Sequence, residues 1–356
     1  MVNKSILKII ALGLMLVFVI GCTSSKVLTK ETEVLSTYMP EVTASTLDLY
    51  TKDKKTYEIE LDKFNIDNSK KNSSLTTKGI NQALEYAVKE GYNKVVFPKG
   101  EYLIKCEVDD RHKASESGII VPSNIYIDLK QASFFVEPNE SHAYTVLNIN
   151  EAENIIVEGG KFVGDRDEHI FDGKDSDKSH EYGHGIVISA SKNITIMRAT
   201  ILDMTGDGII LIGYGLVEEE YRNNIDIILQ NNEIFNCRRQ GISVTNAQGG
   251  DISYNIIHGI NGTPPQYGID IEVELDSNAT GLKVHRNTIY DCAGGGISAH
   301  SGSGYDIFSN ILVSNGITAV KSKDVNIYNN MVWNANIDIQ EEAEKQNVIG
   351  FANILK

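Results

Sequence analysis

Asp270 and Glu272 stand one residue apart in Tyr267-Gly268-Ile269-Asp270-Ile271-Glu272, where acids alternate with isoleucines. In an extended strand alternate side chains share a face, which puts the two carboxylates on one side with Cα atoms about 6.6 Å apart. Side-chain freedom can then set the carboxyl groups at the roughly 6.5–9.5 Å used by inverting glycosidases, one protonating the leaving oxygen and the other activating water. Close like charges also raise one pKa, as a general acid requires. With Glu274 the same acids offer a second chemistry: oxygen ligands for Ca²⁺, a hard cation able to bridge to uronate groups. Strand interiors are depleted in Asp and Glu, which favours both readings over a merely solvated polar strand.

A second cluster runs Gly164-Asp165-Arg166-Asp167-Glu168-His169 and resumes as His180-Glu181-Tyr182-Gly183-His184-Gly185. His180 to His184 satisfies the H-E-x-x-H zinc-protease spacing, but that motif works only where a helix brings both histidines to one face. Gly183 and Gly185 oppose a helix, and Gly185-Ile186-Val187-Ile188 reads as a strand. We therefore expect a long loop beside a groove, with His184 next to Asp207 and able to share a proton or a sugar hydroxyl with it.

The elements that must position these groups repeat. Strand starts recur at Ile194, Ile225, Ile252, Leu282, Ile307 and Val325, and an Asn with an apolar residue two places on follows at Asn232, Asn255, Asn287, Asn310 and Asn330. A third strand opens at Gly185-Ile186, Gly208-Ile209, Gly241-Ile242, Gly268-Ile269, Gly296-Ile297 and Gly316-Ile317, with Ile337 closing the series. Self-similarity at this period signals a solenoid. Short alternating strands without intervening helices exclude βαβ units, so the crossovers are turns and the expected fold is an all-β, three-sheet parallel β-helix. The recurring Asn suits a left-handed turn whose amides stack in a ladder. Cys237 and Cys292 fall two coils apart, roughly 10 Å, beyond disulfide reach, and read with Cys106 as unpaired hydrophobes.

Lys4 and Lys8, the apolar run Ile9–Ile20 and Gly21-Cys22 read as an export signal over residues 1–21, with Cys22 resembling the lipidated residue of bacterial lipoproteins. Residues 22–55 read as a flexible tether and 56–350 as the folded body. The expected location is outside the cell, tied to the membrane only through that lipid. A net charge of −15, or −17 without Lys4 and Lys8, excludes nucleic acid as a partner and repels polyanions unless cations intervene.

The helical stripe Ile80, Ala83, Leu84, Ala87 and Val88, with Thr76 or Thr77 as N-cap and Gly91 as stop, would cover the open end of the coil. This helix and the following Val95-Val96-Phe97-Pro98-Lys99-Gly100-Glu101-Tyr102-Leu103-Ile104 resemble the first-coil segment of the pectate lyase superfamily of right-handed parallel β-helix proteins, over about residues 60–340. The resemblance implies a right-handed coil with the helix as its N-terminal cap, and a working surface on the sheet of Gly-Ile strands. In the superfamily's lyases an Arg or Lys acts as base beside a calcium ion, a place that Arg238 or Arg239 would take. The expected activity is cleavage of a polysaccharide by β-elimination or hydrolysis. Asp270, Glu272, Arg239, Asp207 and His184 would be catalytic, and Arg238, Gln240, Tyr267 and His300 would hold substrate. Asp270, Glu272 and Glu274 would be the possible calcium ligands. A monomer or trimer is expected, and a non-catalytic carbohydrate-binding or adhesive surface protein is the competing reading.

Overall fold

The computed structural model describes residues 55–108, 116–173, 177–213, 222–273, 279–340 and 348–356. Residues 1–21, read above as an export signal, Cys22, nearly all of the stretch read as a tether and Glu274 lie outside the described residues.

Period-two alternation has the consequence expected of it: each coil lends one strand to each of three sheets, and the coils stack in register. In the second sheet Ile234, Ile257, Ile289, Leu312 and Val332 form one continuous buried column. In the third, Ile186, Ile209, Ile242, Ile269, Ile297 and Ile317 do the same along the coil axis, and the partly buried Ile337 ends the column. Burial of these branched side chains between three walls is the main driving force for the stack.

Two backbone devices set the coil-to-coil contact. The ladder asparagines are fully buried, and each bonds to the next: Asn232 Nδ2 to Asn255 Oδ1 at 3.1 Å, Asn255 to Asn287 and Asn287 to Asn310 at 3.0 Å, and Asn310 to Asn330 at 2.9 Å. The left-handed turn residue is not the ladder Asn, as the sequence suggested, but its predecessor: Asn231, Tyr254, Arg286, Ser309 and Asn329 have φ of 55–58°. The Asn itself must turn its amide inward to satisfy buried carbonyls, so the turn conformation passes to the residue before it. The second device is the glycine ahead of each third-sheet isoleucine. A Cβ on Gly241 would lie 2.4 Å from the Gly268 carbonyl oxygen and 2.5 Å from Ile257 Cγ2, so the coil closes only around a hydrogen.

The N-terminal helix spans Ser73–Lys89 and buries Ile80, Ala83, Leu84 and Ala87 in the core. It starts earlier than the sequence indicated, with Asn72 as N-cap at φ 52°. Thr76 does bind a backbone N–H through its hydroxyl, but that of Asp67 at 3.1 Å, and Thr77 accepts from the Lys105 N–H at 2.9 Å. Both threonines thus tie the helix to neighbouring segments rather than capping it. The expected stop holds: the helix ends before Gly91, whose φ is 74°. Cys106, Cys237 and Cys292 are buried; burial pushes the thiols of Cys237 and Cys292 up to about 12, leaving them inert packing groups.

Candidate functional site

The third sheet brings the sequence-predicted residues together. In register, Val187, Ile210, Ser243, Asp270, Ser298, Thr318 and Asp338 make one outward column. Glu272 follows Asp270 two residues on, on the same face, and His184, Asp207, Gln240 and Tyr267 occupy equivalent places two residues before Ile186, Ile209, Ile242 and Ile269. The face was expected to be solvated, yet Asp207 and Gln240 are 0% exposed, Asp270 2% and His184 6%. Coils lie about 4.8 Å apart, so a long side chain on one coil covers a short acid on the next. Arg239 lies against Asp207 in this way, and Gln240 against Asp270.

Asp207 is the electrostatic centre. Arg239 Nη1 donates to both its oxygens, at 3.1 and 3.3 Å, and the Asp207 backbone N–H donates to His184 Nδ1 at 3.1 Å. An accepting Nδ1 assigns the His184 proton to Nε2. Burial pushes the Asp207 carboxyl up to about 7 despite Arg239, with the charges of Asp270 and Glu181 adding to the rise. Burial and the Arg239 charge hold His184 down at about 3, so it is neutral. Arg239 loses some proton affinity to burial but regains more from Asp207, and ends above its ordinary value.

These shifts predict opposed stability profiles. Asp207 binds a proton more tightly when folded, so its stabilisation is full below about pH 4 and lost as pH rises through about 7. His184 is depressed, so its contribution is full above about pH 6.5 and lost as pH falls towards 3. Each term is on the order of 4–5 kcal/mol at its limit, and the two nearly cancel between about pH 4 and 6.5. Unfolding free energies measured from pH 4 to 7 should therefore diverge: relative to wild type, His184→Gln loses stability as pH rises, and Asp207→Asn gains it. Difference slopes of the same sign would refute the assignment.

Beside this pair, Gln240 Nε2 donates to Asp270 Oδ2 at 2.9 Å. Burial raises the Asp270 carboxyl, opposed by the bonds from Gln240 and Ser298. Four buried polar atoms here have no protein partner: Arg239 Nε, Gln240 Oε1, Ser243 Oγ and Asp270 Oδ1. Buried polar groups are normally paired, so a row of orphans on adjacent coils marks a place built for something else.

Glu272 and His300 are half-buried at the edge of the face, and His300 is close enough for its charge to act on Asp270. Tyr267 packs its ring over Gly295, where a Cβ would come within 2.6 Å of the ring. Arg238 is turned away: its Nη1 donates to the Ser179 and His180 carbonyls at 2.9 and 3.1 Å, and its guanidinium lies over Phe171. No group of three acid, His or Cys side chains able to hold a metal ion occurs among the described residues. Glu274, the third expected calcium ligand, lies outside the described residues.

The H-E-x-x-H stretch is not helical; Tyr182–Ser189 is a strand. In the loop before it, Asp165, His169 and His180 are buried in a relay, His169 Nδ1 to Asp165 Oδ2 and Nε2 to His180 Nδ1, both at 2.8 Å, and Tyr144 donates to Asp165. Sequence reasoning ranked Asp270 and Glu272 above Asp207 and passed over Ser243 and Glu181. The register of the Gly-Ile repeat was the signal that could have found Ser243, and the charge of Glu181 reaches Asp207 only through the fold.

Residues 184–332 match the family model described as "Right handed beta helix region". The chain is 38% identical over 204 residues to the uncharacterized protein YclG of Bacillus subtilis, covering 55% of this chain and 35% of that protein. It is 31% identical over 292 residues to the SPbeta prophage-derived uncharacterized protein YorA of Bacillus subtilis, covering 78% and 50%. The chain thus spans half or less of these curated relatives. Among solved structures it is similar to the tailspike protein of E. coli bacteriophage HK620 in complex with pentasaccharide, at 12% identity and TM-score 0.57, covering 82% and 55%. It is also similar to the A-module of the Azotobacter vinelandii mannuronan C-5 epimerase AlgE4, at 13% identity and TM-score 0.50, covering 84% and 95%. At these identities the likeness is one of fold.

Proposed function

Taking the chain as a right-handed parallel β-helix, we propose that the outer face of its third sheet binds a polysaccharide and hydrolyses it by acid–base catalysis. The carrying observation is a carboxyl poised near pH 7, Asp207, beside four orphaned polar atoms. Asp207 would protonate the glycosidic oxygen while a water attacks the anomeric carbon and gives its proton to solvent; Glu272, two coils on in register, would line the edge of the substrate face. Asp270, Gln240 and Ser243 would bind sugar. Asp207 has no exposed surface, so substrate reaches it as half-buried neighbours such as Arg239 shift. Hydrolysis is favoured over elimination because Arg239, paired with Asp207 and held above its ordinary value, keeps its proton and is a poor base. The pentasaccharide in the tailspike complex and the mannuronan acted on by the epimerase show that the fold serves glycans, which supports the substrate class.

A panel of neutral, amine-bearing and acidic glycans, each with and without EDTA, tests the reading. We expect new reducing ends without 235 nm absorbance, unaffected by EDTA. Absorbance at 235 nm would establish elimination instead, and binding without cleavage would leave an adhesive surface protein.

We further propose export and lipid attachment at Cys22, supported by Lys4, Lys8, the apolar run and Gly21. Cells fed a clickable palmitate should label the wild-type chain and not Cys22→Ala; equal labelling would exclude that site.

A further inference from the structure

We infer that the sugar seated at Asp270 is non-anionic and presents hydrogen-bond donors, hydroxyl or ammonium, so the face selects neutral or amine-bearing glycans over uronates; this rests on the glycan-binding reading of the same face. The orphaned atoms carry the argument. Gln240 uses its amide N–H on Asp270 Oδ2 at 2.9 Å, which fixes its orientation and leaves Oε1 free. Turning that amide over would set two oxygens against each other. Asp270 Oδ1 is likewise an acceptor, and the Ser243 hydroxyl can take either role. Two buried acceptors side by side call for a ligand that donates. A substrate carboxylate has only acceptors and would leave both unpaired, with the penalty that entails.

Charge points the same way. Arg239 offers one free N–H, but above pH 7, where Asp207 is ionised, its charge is answered by that carboxylate at 3.1 Å. Arg238 is spent on the Ser179 and His180 carbonyls, and Arg222 on Glu151. Glu181 and Glu272 remain half-buried, with no ion pair to either among the described residues. With Asp207 ionised, a uronate brought here meets Glu181 and Glu272 while the face's described arginines are already paired, and like charges discriminate strongly at short range.

The test is calorimetric titration of the full chain at pH 8, where Asp207 is ionised, with hexamers of β-1,4-glucosamine, of β-1,4-glucose and of galacturonate, in EDTA and again with calcium. We expect the first two to bind and galacturonate to bind roughly tenfold or more weakly in both buffers. Glu272→Gln should narrow that gap, and so should Asp270→Asn, which can turn an amide N–H towards the ligand. Galacturonate binding as tightly as the others, with or without calcium, would overturn the inference while leaving the glycan reading standing. Binding of no panel glycan would overturn the glycan reading and this inference with it.

Discussion

Replacing Asp207 by Asn is expected to lower kcat on a cleaved glycan by about 10²–10⁴-fold while leaving substrate affinity within a few-fold. The amide keeps the size of the carboxyl and an oxygen for Arg239, but has no proton to give. Far-UV circular dichroism and thermal melting would confirm that the coil is intact. The wild-type rate should fall as pH rises above about 7, because the acid is then spent. Full activity in the variant would remove Asp207 from the chemistry and return the acid role to Asp270.

The largest structural effect is expected at the Asn ladder. Asn287 Nδ2 donates to the Ile252 carbonyl at 2.9 Å and to Asn310 Oδ1 at 3.0 Å, and its Oδ1 accepts from the backbone N–H and the Nδ2 of Asn255, both at 3.0 Å. Asn287→Ala strips partners from both neighbouring coils in a space closed to water. It should cost about 3–5 kcal/mol and lower the melting temperature by roughly 5–10 °C. A loss below about 1 kcal/mol would show that the ladder follows the coil rather than holding it. An Ala at Gly241 should be as damaging for a steric reason, since its Cβ would strike the Gly268 carbonyl oxygen at 2.4 Å.

The difference between these predictions reflects what a sequence can convey. Apolar alternation and the Gly-Ile and Asn repeats act locally and recur, so strand identity, inward and outward faces and the stacking of Ile242 on Ile269 followed from them. The outward column through Ser243, Asp270 and Ser298 followed for the same reason. What could not be read was the consequence of stacking for solvent access. Asp207 is short and lies beside a long Arg239 one coil on, and only that contact makes it the buried acid. Arg238 differs from Arg239 by one position in sequence, yet the loop through Ser179 and His180 takes it out of the face. The turn before each ladder Asn was misplaced by one residue, because satisfying the carbonyl inside the coil outweighs the preference of Asn for the left-handed region.

The central claim is that stacking creates a carboxyl at Asp207 that exchanges its proton near neutrality. The most direct measurement is a ¹³C NMR titration of aspartate carboxyls in the wild type and in Asp207→Asn. We predict one resonance with a midpoint at about 7, absent from the variant; a wild-type spectrum in which every aspartate titrates below about pH 5 would contradict it.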